Sequence, residues 1–108
     1  MEKTVEGAAQ ATPIACTLSA AELAARGDDV QQLIAQATET RELADGYALS
    51  YPGTAEWGAT LLEFIRFERE CCQFFTFELR FEPALGPIWL SIRGAEGVKE
   101  MLAAGFMA

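Results

Sequence analysis

The sequence predicts an α+β domain: one four-stranded, mostly antiparallel sheet with helices packed on one face, in the order β-α-β-α-β-β-α. Three observations carry this. Phe75-Thr76-Phe77-Glu78-Leu79 and Ile88-Trp89-Leu90-Ser91-Ile92 alternate with the period of half-buried strands. Val30, Leu33, Ile34 and Ala37 recur at helical spacing, as do Leu61, Phe64 and Ile65. Turn residues such as Pro52-Gly53 and Glu82-Pro83-Ala84-Leu85-Gly86-Pro87 punctuate these runs.

Residues 1–12 are small and polar and read as a flexible arm, leaving 13–108 as a single domain. Ile14-Ala15-Cys16-Thr17-Leu18 reads as a short strand, with Cys16 on the inward row. Ser19 and Glu22 have the spacing of a capping box at a helix start. Gly27-Asp28-Asp29 then interrupts. Either one helix bends at Gly27 or a one-turn helix precedes the main one; Asp28 as a cap for Val30 onward favours the second. The helix fades through Thr38-Glu39-Thr40-Arg41-Glu42-Leu43, and Ala44-Asp45-Gly46 turns the chain.

Tyr47 to Tyr51 alternates large and small residues and reads as a strand, with both tyrosines packing the sheet. Thr54 caps a central helix running to about Cys72. Phe74 to Phe81 and Ile88 to Arg93 form a hairpin, with Phe75, Phe77, Leu79, Phe81, Ile88, Leu90 and Ile92 inward. A last short helix covers Ala95 to Leu102.

The chain has 108 residues, enough for one core and little more. Its net charge of −8, with no basic run, argues against nucleic acid and against anionic membrane surfaces. No apolar run nears the ~20 residues of a bilayer span. The N-terminus lacks an apolar signal region, so the expected location is the cytoplasm, where thiols stay reduced.

Three cysteines give no disulfide framework. Cys71 and Cys72 are neighbours, with Cα atoms ~3.8 Å apart, below the ~4.4–6.8 Å usual for a disulfide. There is no histidine, which removes the commonest general base and a frequent zinc ligand.

Placed on a helical wheel, Trp57, Leu61, Phe64, Ile65, Glu68, Cys71 and Cys72 share one stripe. Glu68 stands near its middle, where an apolar residue belongs. A carboxylate buried there must be paired, protonated or liganding something. Cys16, Glu68, Cys71 and Cys72 are therefore the candidate metal-ligating residues. A sulfur-rich, histidine-free set suits a soft ion such as Zn(II), Cu(I), Hg(II) or As(III). Adjacent cysteines on a regular helix diverge by ~100°, so they share an ion only if the helix frays there.

Two other readings stand beside this one. Buried cysteine is often a small inert hydrophobe, and Glu68 then pairs with an arginine. A thiol enzyme is disfavoured, because a helix C-terminus carries partial negative charge that opposes a thiolate. No catalytic residue is assigned. Thr17, Thr76, Glu78, Arg80, Trp89, Ser91 and Arg93 occupy the outer sheet face, where Trp89 marks a candidate homodimer or protein-partner surface.

Glu68-Arg69-Glu70-Cys71-Cys72-Gln73-Phe74-Phe75, with the Cys16 strand before it and Gly94-Ala95-Glu96-Gly97 after it, resembles a group of short bacterial proteins of uncharacterised function. Their pattern is E-R-x-C-C-P-F followed by an alternating strand. The similarity covers about residues 14 to 102 and marks a family more than a function. It implies a link to heavy-metal response and carries over Cys16, Glu68, Arg69, Cys71 and Cys72. This chain has Gln73 where the pattern has proline, so its helix end is less firmly set.

The sequence thus points to a small cytoplasmic α+β protein binding a soft metal or metalloid through cysteine thiolates. The alternative is a structural or protein-interaction module with buried inert cysteines.

Overall fold

The structure is a computed structural model that describes residues 20–105, with side chains described for 27–104. The expected arm over 1–12, the strand over 14–18 with Cys16, and the Ser19 cap lie outside the described residues. The described elements are α1 (Ala20–Ala35), β1 (Glu39–Leu43), β2 (Gly46–Tyr51), α2 (Ala55–Cys71), β3 (Phe75–Phe81), β4 (Ile88–Gly94) and α3 (Val98–Gly105). The fold is α+β, as the residue pattern predicts, with one four-stranded antiparallel sheet in the order β1-β2-β4-β3.

Two elements differ from the sequence reading. Residues 39–43 form a strand, not the tail of a helix. Glu39, Thr40, Arg41 and Glu42 are exposed and only Leu43 is half-buried, so no apolar alternation marks it. It is an edge strand held by its ladder to β2, from Glu39 opposite Ser50 to Leu43 opposite Gly46. The second difference is Gly27, which lies inside one continuous sixteen-residue helix. Val30, Leu33 and Ile34 bury that helix's apolar face, and tertiary packing outweighs the local cost of glycine.

The ladder of β2 to β4 sets Leu49 opposite Leu90 and Tyr51 opposite Ile88. That of β3 to β4 sets Phe77 opposite Ile92 and Leu79 opposite Leu90. β4 is antiparallel to both neighbours, so β2 and β3 run parallel with β4 between them. A parallel connection needs a crossover rather than a tight turn. α2 supplies it, with seventeen residues spanning ~25 Å.

Core residues come from every layer: Val30, Leu33 and Ile34 of α1, Leu61 and Phe64 of α2, Leu49, Tyr51, Ile88, Leu90 and Ile92 of the sheet, and Val98 and Leu102 of α3. Leu49, Leu61 and Leu90 are fully buried, each worth about 2 kcal/mol of burial. Tyr51 is also fully buried, and its hydroxyl donates to the Leu33 carbonyl at 2.8 Å, tying β2 to α1. Phe81, expected inward, is 61 % exposed at the end of β3.

Gly46 shows how closely β2 and β4 approach, since a Cβ there would collide with the Ile92 carbonyl. The last helix starts at Val98 rather than Ala95. Gly97 adopts φ 97°, and the Val98 amide donates to the Ala95 carbonyl, so 95–97 form the turn that leads into the helix.

Candidate functional site

The site grows out of α2. Thr54 stands at its N-cap, and its side chain accepts a hydrogen bond from the Trp57 amide at 3.1 Å. From that start, Leu61, Phe64, Glu68 and Cys71 fall on the buried stripe, as helical spacing requires. Phe64 meets Phe77 of β3 edge-on, with ring centroids 6.0 Å apart. This contact seats the last two turns of α2 against the strand that follows them.

Glu68 and Cys71 are both 4 % exposed, and Cys72 is half-buried. The spacings i to i+3 and i to i+4 are those of neighbours on a helix surface, so Glu68 faces both cysteines. Donor atoms of Glu68, Cys71 and Cys72 all lie within 4.8 Å of one another.

The helix end makes this possible. Cys71 is the last helical residue; Cys72 is the C-cap, with φ −129° and ψ 80°. Its amide still donates to the Glu68 carbonyl at 2.8 Å, while its side chain has left the helical progression. The two Sγ atoms come to 3.7 Å, well beyond a covalent S–S bond of ~2.05 Å. Cys71 Sγ also lies 4.0 Å from the Glu68 carbonyl oxygen, a weak thiol contact. No proline is needed for the stop. The Gln73 side-chain amide donates to the Glu70 carbonyl at 3.3 Å and satisfies one of the last helical acceptors.

The structure therefore brings together three of the four candidate ligands; Cys16, the fourth, lies outside the described residues. Chemically, the arrangement offers two sulfurs and one carboxylate in a water-poor setting. Partial negative charge at the helix C-terminus disfavours free anions here and favours a cation.

Two further surfaces lie apart from this site, and of these only the outer sheet face, with Trp89, is expected from the sequence. A concavity of about 610 Å³ is an open groove between α1 and α2, lined by Asp29, Leu33, Ala59, Thr60, Glu63, Phe64 and Phe67. On the outer sheet face, the Arg41 guanidinium sits 4.4 Å from the Trp89 ring centroid. Arg93 bridges Glu78 at 2.7 Å and Asp45 at 2.8 Å, and these hydrogen bonds raise the Arg93 pKa further. The Trp89–Arg41 pair depends on β1, which the sequence did not reveal.

Among the described residues no helix is long and apolar enough to cross a membrane. Comparison with protein-family models, curated proteins and solved structures finds no match.

Proposed function

We propose that this chain is a small binding protein for a soft or borderline metal ion or a metalloid, held by Cys71 and Cys72 with Glu68 beside them. The observation that carries the reading is the 3.7 Å separation of the two sulfurs, with a carboxylate oxygen in the same cluster. An ion bound tetrahedrally with metal–sulfur bonds of ~2.3 Å holds its sulfurs about 3.8 Å apart. The cysteines need almost no rearrangement to close on one. A histidine-free, sulfur-rich set suits such ions, and the resemblance to proteins linked to heavy-metal response points the same way. Cys16 is proposed as an additional thiolate, and the cytoplasm as the compartment that keeps these thiols reduced.

The test is a titration of fully reduced protein with Zn(II), Hg(II) and arsenite, counting the thiols that stay reactive in the native state. Binding is expected to protect Cys71 and Cys72, and Cys71→Ser and Cys72→Ser each to abolish the protection. Full reactivity at every ion concentration overturns the proposal.

One observation favours a second reading, a protein-interaction module with inert cysteines. Leu62, Phe67, Phe81 and Leu85 are large apolar residues that stay exposed. With Trp89 on the outer face, they offer contact surface for a partner or a second copy. A strictly monomeric mass at high concentration removes the homodimer form of this reading.

A further inference from the structure

We infer that the two sulfurs and one carboxylate gathered at the end of α2 select a tetrahedral dication of the Zn(II) class rather than a linear two-coordinate soft ion. The inference rests on the metal-binding reading and narrows it to one class of ion.

Three features select that class. The first is the distance between the sulfurs. A linear ion needs them on opposite sides, about 4.6 Å apart at twice the usual bond length, whereas a tetrahedral ion needs about 3.8 Å. The observed 3.7 Å matches the tetrahedral case. Cys71 is fixed by the last helical turn and Cys72 by its amide bond to the Glu68 carbonyl. Opening the pair by a further ångström means rotating at least one cysteine out of this arrangement, whereas the tetrahedral case needs no such change.

The second feature is the oxygen. Glu68 is 4 % exposed, so its carboxylate belongs to the cluster rather than to solvent. Zn(II) accepts carboxylate oxygen at ~2.0–2.2 Å beside thiolate sulfur; Cu(I) selects thiolate and thioether sulfur. A carboxylate in the set therefore discriminates in favour of the borderline ion. The donors need only a modest side-chain adjustment, since all three already lie within 4.8 Å.

The third feature is charge. Two thiolates and a carboxylate are three negative groups beside the negative end of α2. A dication offsets two of them and a monocation one, and low local dielectric magnifies the difference, so charge counts against Cu(I), while the sulfur separation and the oxygen are what count against Hg(II).

The experiment compares wild type, Glu68→Gln and Cys71→Ser, all reduced, for Zn(II), Co(II), Hg(II) and Cu(I). Circular dichroism establishes that each variant is folded. Wild type is expected to bind Zn(II), and to give with Co(II) the intense visible ligand-field bands of a tetrahedral centre together with sulfur-to-cobalt charge transfer. Glu68→Gln is expected to lose Zn(II) affinity by ~100-fold or more, since removing a direct ligand costs at least as much as removing an outer-sphere partner, and to keep Hg(II). The Co(II) spectrum of wild type tests the inference even if Glu68→Gln does not fold. Wild-type-like Zn(II) affinity in Glu68→Gln overturns the inference, as does an octahedral Co(II) spectrum. Hg(II) or Cu(I) binding without Zn(II) or Co(II) binding also overturns it, yet leaves the broader metal-binding proposal standing. Failure of every ion overturns both.

Discussion

The sulfur atoms of Cys71 and Cys72 lie 3.7 Å apart although a regular helix would turn the two side chains ~100° away from each other. They meet because α2 ends between them. Cys71 keeps helical geometry, and Cys72 does not. Their environments consequently differ: Cys71 is buried and Cys72 half-buried. In the metal-free, reduced protein, iodoacetamide is expected to label Cys72 several-fold faster than Cys71, because access limits the reaction at the buried sulfur. Peptide mapping after partial labelling reads the ratio. Equal rates, or faster labelling of Cys71, contradict this burial.

Tyr51 gives a second prediction. Its ring is fully buried and its hydroxyl donates to the Leu33 carbonyl. Tyr51→Phe is expected to cost about 1 kcal/mol at neutral pH, the usual net worth of one hydrogen bond. Burial also pushes the phenol pKa well above its ordinary value. The folded state thus holds the proton more tightly than the unfolded state. The stability this contributes is complete below the unfolded pKa of about 10 and falls as pH rises above it. Urea melts from pH 8 to 11 should show wild type losing stability faster than Tyr51→Phe. Parallel curves would remove Tyr51 as the source of the alkaline loss.

The β3–β4 loop stores strain that can be released. Ala84 and Leu85 have φ of 59° and 55°, and the Gly86 amide donates to the Pro83 carbonyl at 3.1 Å. Two consecutive positive φ values in a closed turn suit Asn-Gly far better than Ala-Leu. The left-handed region costs an ordinary residue roughly 1–2 kcal/mol. Leu85 is 90 % exposed, so its side chain contributes little packing to lose. Replacing Ala84-Leu85 with Asn-Gly is expected to stabilise by about 1–2 kcal/mol, raising Tm by several degrees. An unchanged or lower Tm shows that the loop is not strained in this way.

Gly27 offers a stabilisation of a different origin. It lies within α1, and a Cβ built there meets nothing within 4 Å. Gly27→Ala should therefore add about 1 kcal/mol through helix propensity alone, detectable by thermal melting. A destabilised variant would mean that the helix does not run unbroken through this position.

These residues also show what was legible in the chain. α2 could be read from its Thr54 cap and its apolar spacing, and β3 and β4 from their alternation, because each buries one face and so carries the period of its own geometry. β1 could not, because an edge strand with four exposed polar residues has no buried face to print on the sequence. The signal that remained was the turn at Ala44-Asp45 just before β2, which is compatible with a hairpin partner on its other side. Gly27 misled for the opposite reason: local propensity was outweighed by burial of Val30, Leu33 and Ile34.

At the site, the spacing of Glu68, Cys71 and Cys72 was visible as a shared stripe. The closeness of the two sulfurs was not, because it depends on one residue's departure from helical φ and ψ, with Gln73 rather than proline following it. Burial of Glu68 was the feature that most needed explaining in the sequence, and the structure sets that residue against both cysteines.

The most direct measurement of the central claim is Zn(II) binding by reduced protein, followed by calorimetry and by protection of Cys71 and Cys72 from a thiol reagent. The account predicts one ion per chain, proton release on binding as the thiols ionise, and loss of the signal in Cys71→Ser and in Cys72→Ser. Binding that persists unchanged in both variants, or the absence of any binding by the reduced wild type, would contradict it.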